Sequence, residues 1–279
     1  MTACLLLAAA VVTVGAALRS TWSPCGLSML ASITPLSERG RGHRYRATAA
    51  WFVVGGTLGG ATLGVAVAAL ALGFHALSLT PREVSTIALG AGIVTVASDI
   101  DVGGFHLPVH HRQVNERWLD QFRPWVYGAG FGWQIGTGLA TYIVTAAVYL
   151  MVLLSALIGN GWLAIGLGAL FGLVRGLSVG LGRHITSTDA LRSFHRSFSE
   201  LGPKVRRAMI AVETAVVVLF AWTLAPWAAL GISAGALLWA AVRVRARAPG
   251  RPGSARSVRE REDQRAASPS GVRVGSGNE

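Results

Sequence analysis

Three sets of residues in this 279-residue chain have the chemistry to act. The first is Trp22-Ser23-Pro24-Cys25. A thiolate is a nucleophile and a redox group. Pro24 lacks an N–H and disfavours helix at Ser23, so the thiol sits at a break in an apolar segment. Cys25 reads either as a redox thiol or as a small buried hydrophobe. The only other cysteine is Cys4. A straight helix would hold the two about 31 Å apart, so they could meet only if the first segment folded back. The second set is Arg175 and Glu213, each inside an apolar run. Ionisable groups there are costly and face the interior or pair. Their expected depths match, which predicts a salt bridge between neighbouring helices; an anion site at Arg175 or a proton site at Glu213 are the alternatives. The third set is Asp99 and Asp101 with His106, His110 and His111. It could hold a cation but reads more simply as a solvated helix end, and no metal is expected.

A second interruption, Trp133-Gln134-Ile135-Gly136-Thr137, places polar groups inside another apolar run. Gln134 and Thr137 suit a hydrated passage, or equally the bonding of backbone freed by the break. The chain has no Walker loop and no dinucleotide glycine fingerprint. No cofactor is expected, nor an enzyme of the hydrolytic or transferase kind.

The elements that must position these residues are membrane helices. Hydrophobic residues make up 52% of the chain and charged ones 14%, against about 25% charged in soluble domains. No charged residue occurs between Ala47 and Pro81, or between Val126 and Val174. A membrane crossing needs about 20 apolar residues, and a soluble fold could not hide runs this long. The lipid bilayer is therefore the first partner. The net charge of +12 fits basic loops on one membrane face better than nucleic acid, and no nucleic-acid partner is expected.

The first segment runs from Ala3 to Leu18 and resumes from Leu27 to Leu36 after the break. Further helices are expected within Ala47 to Leu72, Glu83 to Val102, Val126 to Ile158 (interrupted near Gly132, Gly136 and Gly138), Trp162 to Gly182, Ala208 to Leu224 and Trp227 to Val242. Basic loops are expected at Glu38 to Arg46 and Arg183 to Arg207, with a polar loop from Gly103 to Trp125. Seven crossings put 22 of the 25 Lys and Arg on one face, which predicts a multi-pass plasma-membrane protein with its N-terminus outside and its C-terminus cytosolic. Residues 1–242 form the bundle in this reading: a first half 3–102, a second half 126–224 and an extra helix 227–242. Residues 243–279 are a disordered basic cytosolic tail.

The two interruptions lie 111 residues apart and each precedes a glycine-rich helix, which suggests two inverted three-helix halves with the breaks meeting near the midplane. The Ser23-Pro24-Cys25 break and Gly132-Trp133 resemble the transmembrane family of cytochrome c biogenesis and thiol-disulfide carriers (CcdA/DsbD type). That resemblance implies an all-α membrane fold of two inverted halves, a Pro-Cys in the first helix of each, transport of reducing equivalents between paired cysteines, and a thioredoxin-like or other redox partner. The second-half cysteine is missing here, and Gly136 stands in its place. On this reading Cys25 is the redox thiol, Trp22, Ser23, Pro24, Trp133, Gln134, Gly136 and Thr137 line the breaks, and Gly136 leaves room opposite Cys25. The other functions open to the same scaffold are a permease or exporter of a small anionic solute and a non-catalytic assembly partner in a membrane complex.

Overall fold

The computed structural model describes residues 2–108, 118–138, 144–227, 229–231 and 235. The described residues form helices and turns without strands. By contact the chain divides into residues 1–232 and 233–279. The second unit, with the expected tail at 243–279, lies outside the described residues apart from position 235, as does most of the expected helix 227–242 and as do His110 and His111.

The helices are α1 (Thr2–Ser20), α2 (Pro24–Ser32), α3 (Pro35–Gly40), α4 (Tyr45–Ala76), α5 (Pro81–Ile100), the single turn α6 (Trp118–Gln121), α7 (Pro124–Gly136), α8 (Ala147–Leu157), α9 (Gly161–Leu177) and α10 (Thr188–Leu224). Five segments are long and apolar enough to cross a membrane: α1, α4, α5, α9 with its 3-10 extension to His184, and α10. Their starts follow local chemistry. Pro24, Pro35, Pro81 and Pro124 each open a helix, where a missing N–H costs nothing. The Ser23, Thr34, Thr80, Asn160 and Ser187 side chains cap the ones they precede.

Glycine fixes the centre of the bundle. Gly56, Gly60 and Gly64 of α4 lie against Gly172, Gly168 and Ile165 of α9, in antiparallel order. A Cβ on Gly56 would fall 2.9 Å from the Gly172 carbonyl oxygen, and one on Gly64 would fall 2.6 Å from Ile165 Cα. Only hydrogen at those positions allows backbones so close. On its neighbouring face α4 meets α7 in parallel: Gly128 touches Thr48, Gly132 touches Phe52, and Gly136 touches Gly56. Around this centre α10 runs antiparallel to α5, Val217 packing on Gly92 and Arg206 reaching Asp99. It also runs antiparallel to α1, with Met209 on Gly15 and Gly202 beside Trp22. The starts of α4 and α7 and the ends of α1, α5 and α9 therefore share one end of the bundle, here termed the basic end for Arg19, Arg44, Arg46, Arg183 and Arg206.

Two expectations are corrected. The Trp22-Ser23-Pro24 break is not in the middle of a crossing: α1, about 28 Å long, suffices to cross alone. The break follows at the basic end, where Trp22 stacks on Phe198 of α10 at 4.5 Å and donates from Nε1 to its carbonyl at 2.8 Å. Residues 188–207, expected as loop, are the first half of α10. Ser187 caps this helix through the Ala190 N–H, Asp189 sits in its positive first turn, and Pro203 is accommodated within it. The fourth apolar segment is interrupted after Gly136, and α7 (13 residues) and α8 (11 residues) are each too short to span.

Candidate functional site

The Pro24 break leaves α2 lying beside the 3-10 stretch Ser178–His184, with Gly182 facing the Leu30 and Ile33 carbonyls. Ser23 caps α2 by accepting from Gly26 N–H at 3.0 Å. Gly26 has no room for a side chain because Thr21 backbone stands where its Cβ would be. These constraints bury Cys25, 3% exposed, at the first turn of α2.

Arg175 joins the two interruptions. Its side chain is 1% exposed, and its guanidinium carbon stands 5.6 Å from the centre of the Phe171 ring. Nη1 donates to the Ile135 carbonyl at 2.6 Å and Nη2 to the Ser20 carbonyl at 3.4 Å. Both carbonyls belong to last turns and accept a backbone N–H each, from Gly138 and from Ser23 at 3.2 Å, and Arg175 takes a second acceptor position on each. A fixed planar cation with five donors satisfies such groups where lipid cannot. Arg175, Ile135, Gly26 and Thr21 border a cavity of about 10 Å³, with Met29, Leu30 and Phe52 among its apolar walls. That is near the volume of a single water.

Arg175 does not pair with Glu213. Arg175 reaches the carbonyl that ends α1 and that of Ile135 in α7, whereas Glu213 lies one turn along α10 beyond Met209, which packs on Gly15 in α1. Among the described residues neither Glu213 oxygen has a hydrogen-bond partner. Gly136 does not open space opposite Cys25, since its missing Cβ is replaced by the Gly56 carbonyl. Trp133 is 44% exposed, on the outside of α7, and donates from Nε1 to Thr62 Oγ1 at 3.1 Å. Thr137 bonds back to the Gln134 carbonyl at 2.8 Å. Cys4 is exposed at the far end of α1 from Cys25, and neither is in a disulfide. No cluster of metal-ligating residues occurs among the described residues.

Two groupings had no signal in the sequence. Glu38, expected in a basic loop, is fully buried. It accepts from Arg41 Nη1 at 3.1 Å, Thr48 Oγ1 at 2.5 Å and the Tyr127 hydroxyl at 2.8 Å, and His43 Nδ1 lies 3.3 Å from that hydroxyl. A capping box at Thr34 and Ser37 sets the turn that turns Glu38 inward. Asp99 bonds Thr145 and receives the Ala146 N–H at 2.7 Å, holding the start of α8. It lines an open cavity of about 330 Å³ with Arg19, His106, Tyr149 and Arg206.

Long apolar helices, with shorter apolar helices and buried charges among them, define a multi-helix membrane protein. Among curated relatives, the methylamine utilization protein MauF of Paracoccus versutus is 32% identical over 213 residues, 73% of this chain and 74% of that protein. Its counterpart in Paracoccus denitrificans is 34% identical over 177 residues, 60% of each chain. The one in Methylophilus methylotrophus is 29% identical, over 58% of this chain and 57% of that one. The chain belongs to the MauF family. It spans about three-fifths of the length of the Paracoccus denitrificans relative and three-quarters of the Paracoccus versutus one. No family model matches the sequence, and no solved structure matches it. These relatives bear no cytochrome c biogenesis or thiol-disulfide carrier name.

Proposed function

We propose that this chain is a membrane accessory protein of methylamine utilization, an assembly partner of other proteins in that process and not a carrier of two-electron equivalents. Family membership carries the reading. The closure of α7 on α4 at Gly136 supports it: a dithiol relay needs a second sulfur within bonding range of the first, and a side chain at 136 would meet backbone. Residues 1–242 are the bundle in this proposal, with α7 and α8 together making one crossing and 227–242 another. The basic end and residues 243–279 face the cytosol of the plasma membrane. The antiparallel α4–α9 pair is the contact that two inverted halves, 3–102 and 126–224, would make. A reporter active only outside the cytosol, fused after Glu279, is expected to stay silent; activity there would reverse the orientation.

Cys25, next in sequence to the Gly26 that borders a cavity with Arg175, favours a second reading, in which this single thiol exchanges with a thiol of a thioredoxin-like or other partner protein. One experiment separates the two. A methylotroph lacking its MauF would be complemented with this chain and with Cys25→Ser. Growth on methylamine restored equally by both supports the assembly reading. Growth lost only with Cys25→Ser supports thiol exchange, and failure of the unmodified chain, produced in the membrane, would overturn the proposed process.

A further inference from the structure

A groove between the start of α4 and the 3-10 stretch that extends α9 has no part in the reading above. It is an open cavity of about 470 Å³, within the range of small-molecule sites. Ala49, Ala50, Val53 and Leu177 form its apolar wall, and Arg46, Arg183 and His184 supply its charge and polarity. The antiparallel packing of α4 on α9 sets this arrangement. Gly176 lies on Val53, and the Tyr45 hydroxyl donates to the Val179 carbonyl at 2.8 Å. Arg46, at the start of one segment, and Arg183, at the end of the other, therefore come to the same end of the groove. Gly180 also borders it. Unlike the glycines between α4 and α9, it meets no neighbour: a Cβ there would find nothing within 4 Å.

Both arginines mark the edge of the apolar layer. Arg46 immediately precedes the uncharged run from Ala47 to Pro81, and Arg183 stands in the last turn of the crossing segment Gly161–His184. Lipid phosphates lie at that level. Arg183 donates from Nε to His184 Nε2 at 2.8 Å, which orients the guanidinium and leaves Nη1 and Nη2 as donors. Among the described residues neither Arg46 nor Arg183 is in a salt bridge, and no Asp or Glu lines the groove. The other open cavity at the basic end differs, because Asp99 lines it beside Arg19 and Arg206. The geometry points to a binding site for an anionic glycerophospholipid, with its phosphodiester on Arg46 and Arg183 and an acyl chain along Ala49, Val53 and Leu177. Guanidinium donors match phosphate oxygens, and basic pockets between membrane helices take such headgroups. A zwitterionic lipid fits less well, since its ammonium would meet two cations and no carboxylate.

Native mass spectrometry of the full chain tests this, after the detergent-solubilised protein is exchanged with equal amounts of phosphatidylglycerol and phosphatidylcholine of the same acyl chains. The phosphatidylglycerol adduct is expected to exceed the other by about tenfold. Arg46→Gln and Arg183→Gln should each cut that preference several-fold, and Arg206→Gln, in the other cavity, should leave it unchanged. Gly180→Leu, which places a side chain in open space beside the groove, should lower retention of the phosphatidylglycerol. Equal retention of the two lipids by the unmodified protein would overturn the site without relying on any variant. A preference that Arg46→Gln, Arg183→Gln and Gly180→Leu all leave intact, or one lost only in Arg206→Gln, would overturn its position. Displacement of the lipid by millimolar glycerol phosphate would make the occupant a free phosphate ester and overturn the lipid.

Discussion

Glu38 and Glu213 are two fully buried carboxyls in one molecule, and their surroundings are opposite. Glu38 sits at the basic end among donors from its own helix, from α4 and from α7. Arg41 pairs with it while keeping a quarter of its side chain, 26%, in solvent. Glu213 lies deeper, on a helix face of Met209, Val216, Val217 and Phe220, with no donor among the described residues. Burial alone therefore does not define a carboxyl's role. Donors from three segments make Glu38 a clamp that ties α3, α4 and α7 together as a charged group. Glu213 has no such partners among the described residues and ties no element to another through a hydrogen bond.

Stability measurements on the solubilised protein sharpen or break this contrast. The largest loss is expected for Glu38→Ala, about 3 kcal/mol by thermal or denaturant unfolding. This is the low end for removing one partner of a buried ion pair, because Arg41 can turn to solvent. Arg175→Met should cost about 2–3 kcal/mol, since it strips a charged donor from the Ile135 and Ser20 carbonyls. Combined with Glu213→Met its effect should be additive to within about 0.5 kcal/mol, as for residues without shared partners. A strong coupling would restore the ion pair that depth alone suggests. Tyr127→Phe removes one donor from Glu38 and should cost about 1 kcal/mol. Glu213→Met by itself should be the mildest, within about 1 kcal/mol and on the stabilising side, because an apolar group of similar size replaces an unsatisfied one. A loss there as large as that of Glu38→Ala would erase the distinction.

The glycine-rich helices show how far a sequence reading reaches. Glycines at 55, 56, 59, 60 and 64 occupy two adjacent stripes of one helix, and the spacing already says that backbones approach there. The sequence cannot say that one stripe, Gly56 with Gly60, takes α9 and the other, Gly55 with Gly59, takes α7. Gly136 was read as vacant space for the same reason: an absent side chain looks alike whether a cavity or a neighbouring backbone fills the place.

Composition and spacing alone determined that this chain lives in a membrane, where its apolar runs begin and end, that Pro24 interrupts the chain just before Cys25, and that Arg175 and Glu213 lie within apolar runs. Each follows from counting along the chain, since a helix converts residue number into depth at a fixed rise. The tertiary structure decided what counting cannot reach: the rotation of each helix about its axis and the choice of its neighbours. Rotation turned Arg175 to the carbonyl ends of α1 and α7 and Glu213 to a donorless face. It also folded Glu38 inward from a segment whose composition reads as solvated. Those angles are set by how all the helices pack at once, and no single segment encodes them.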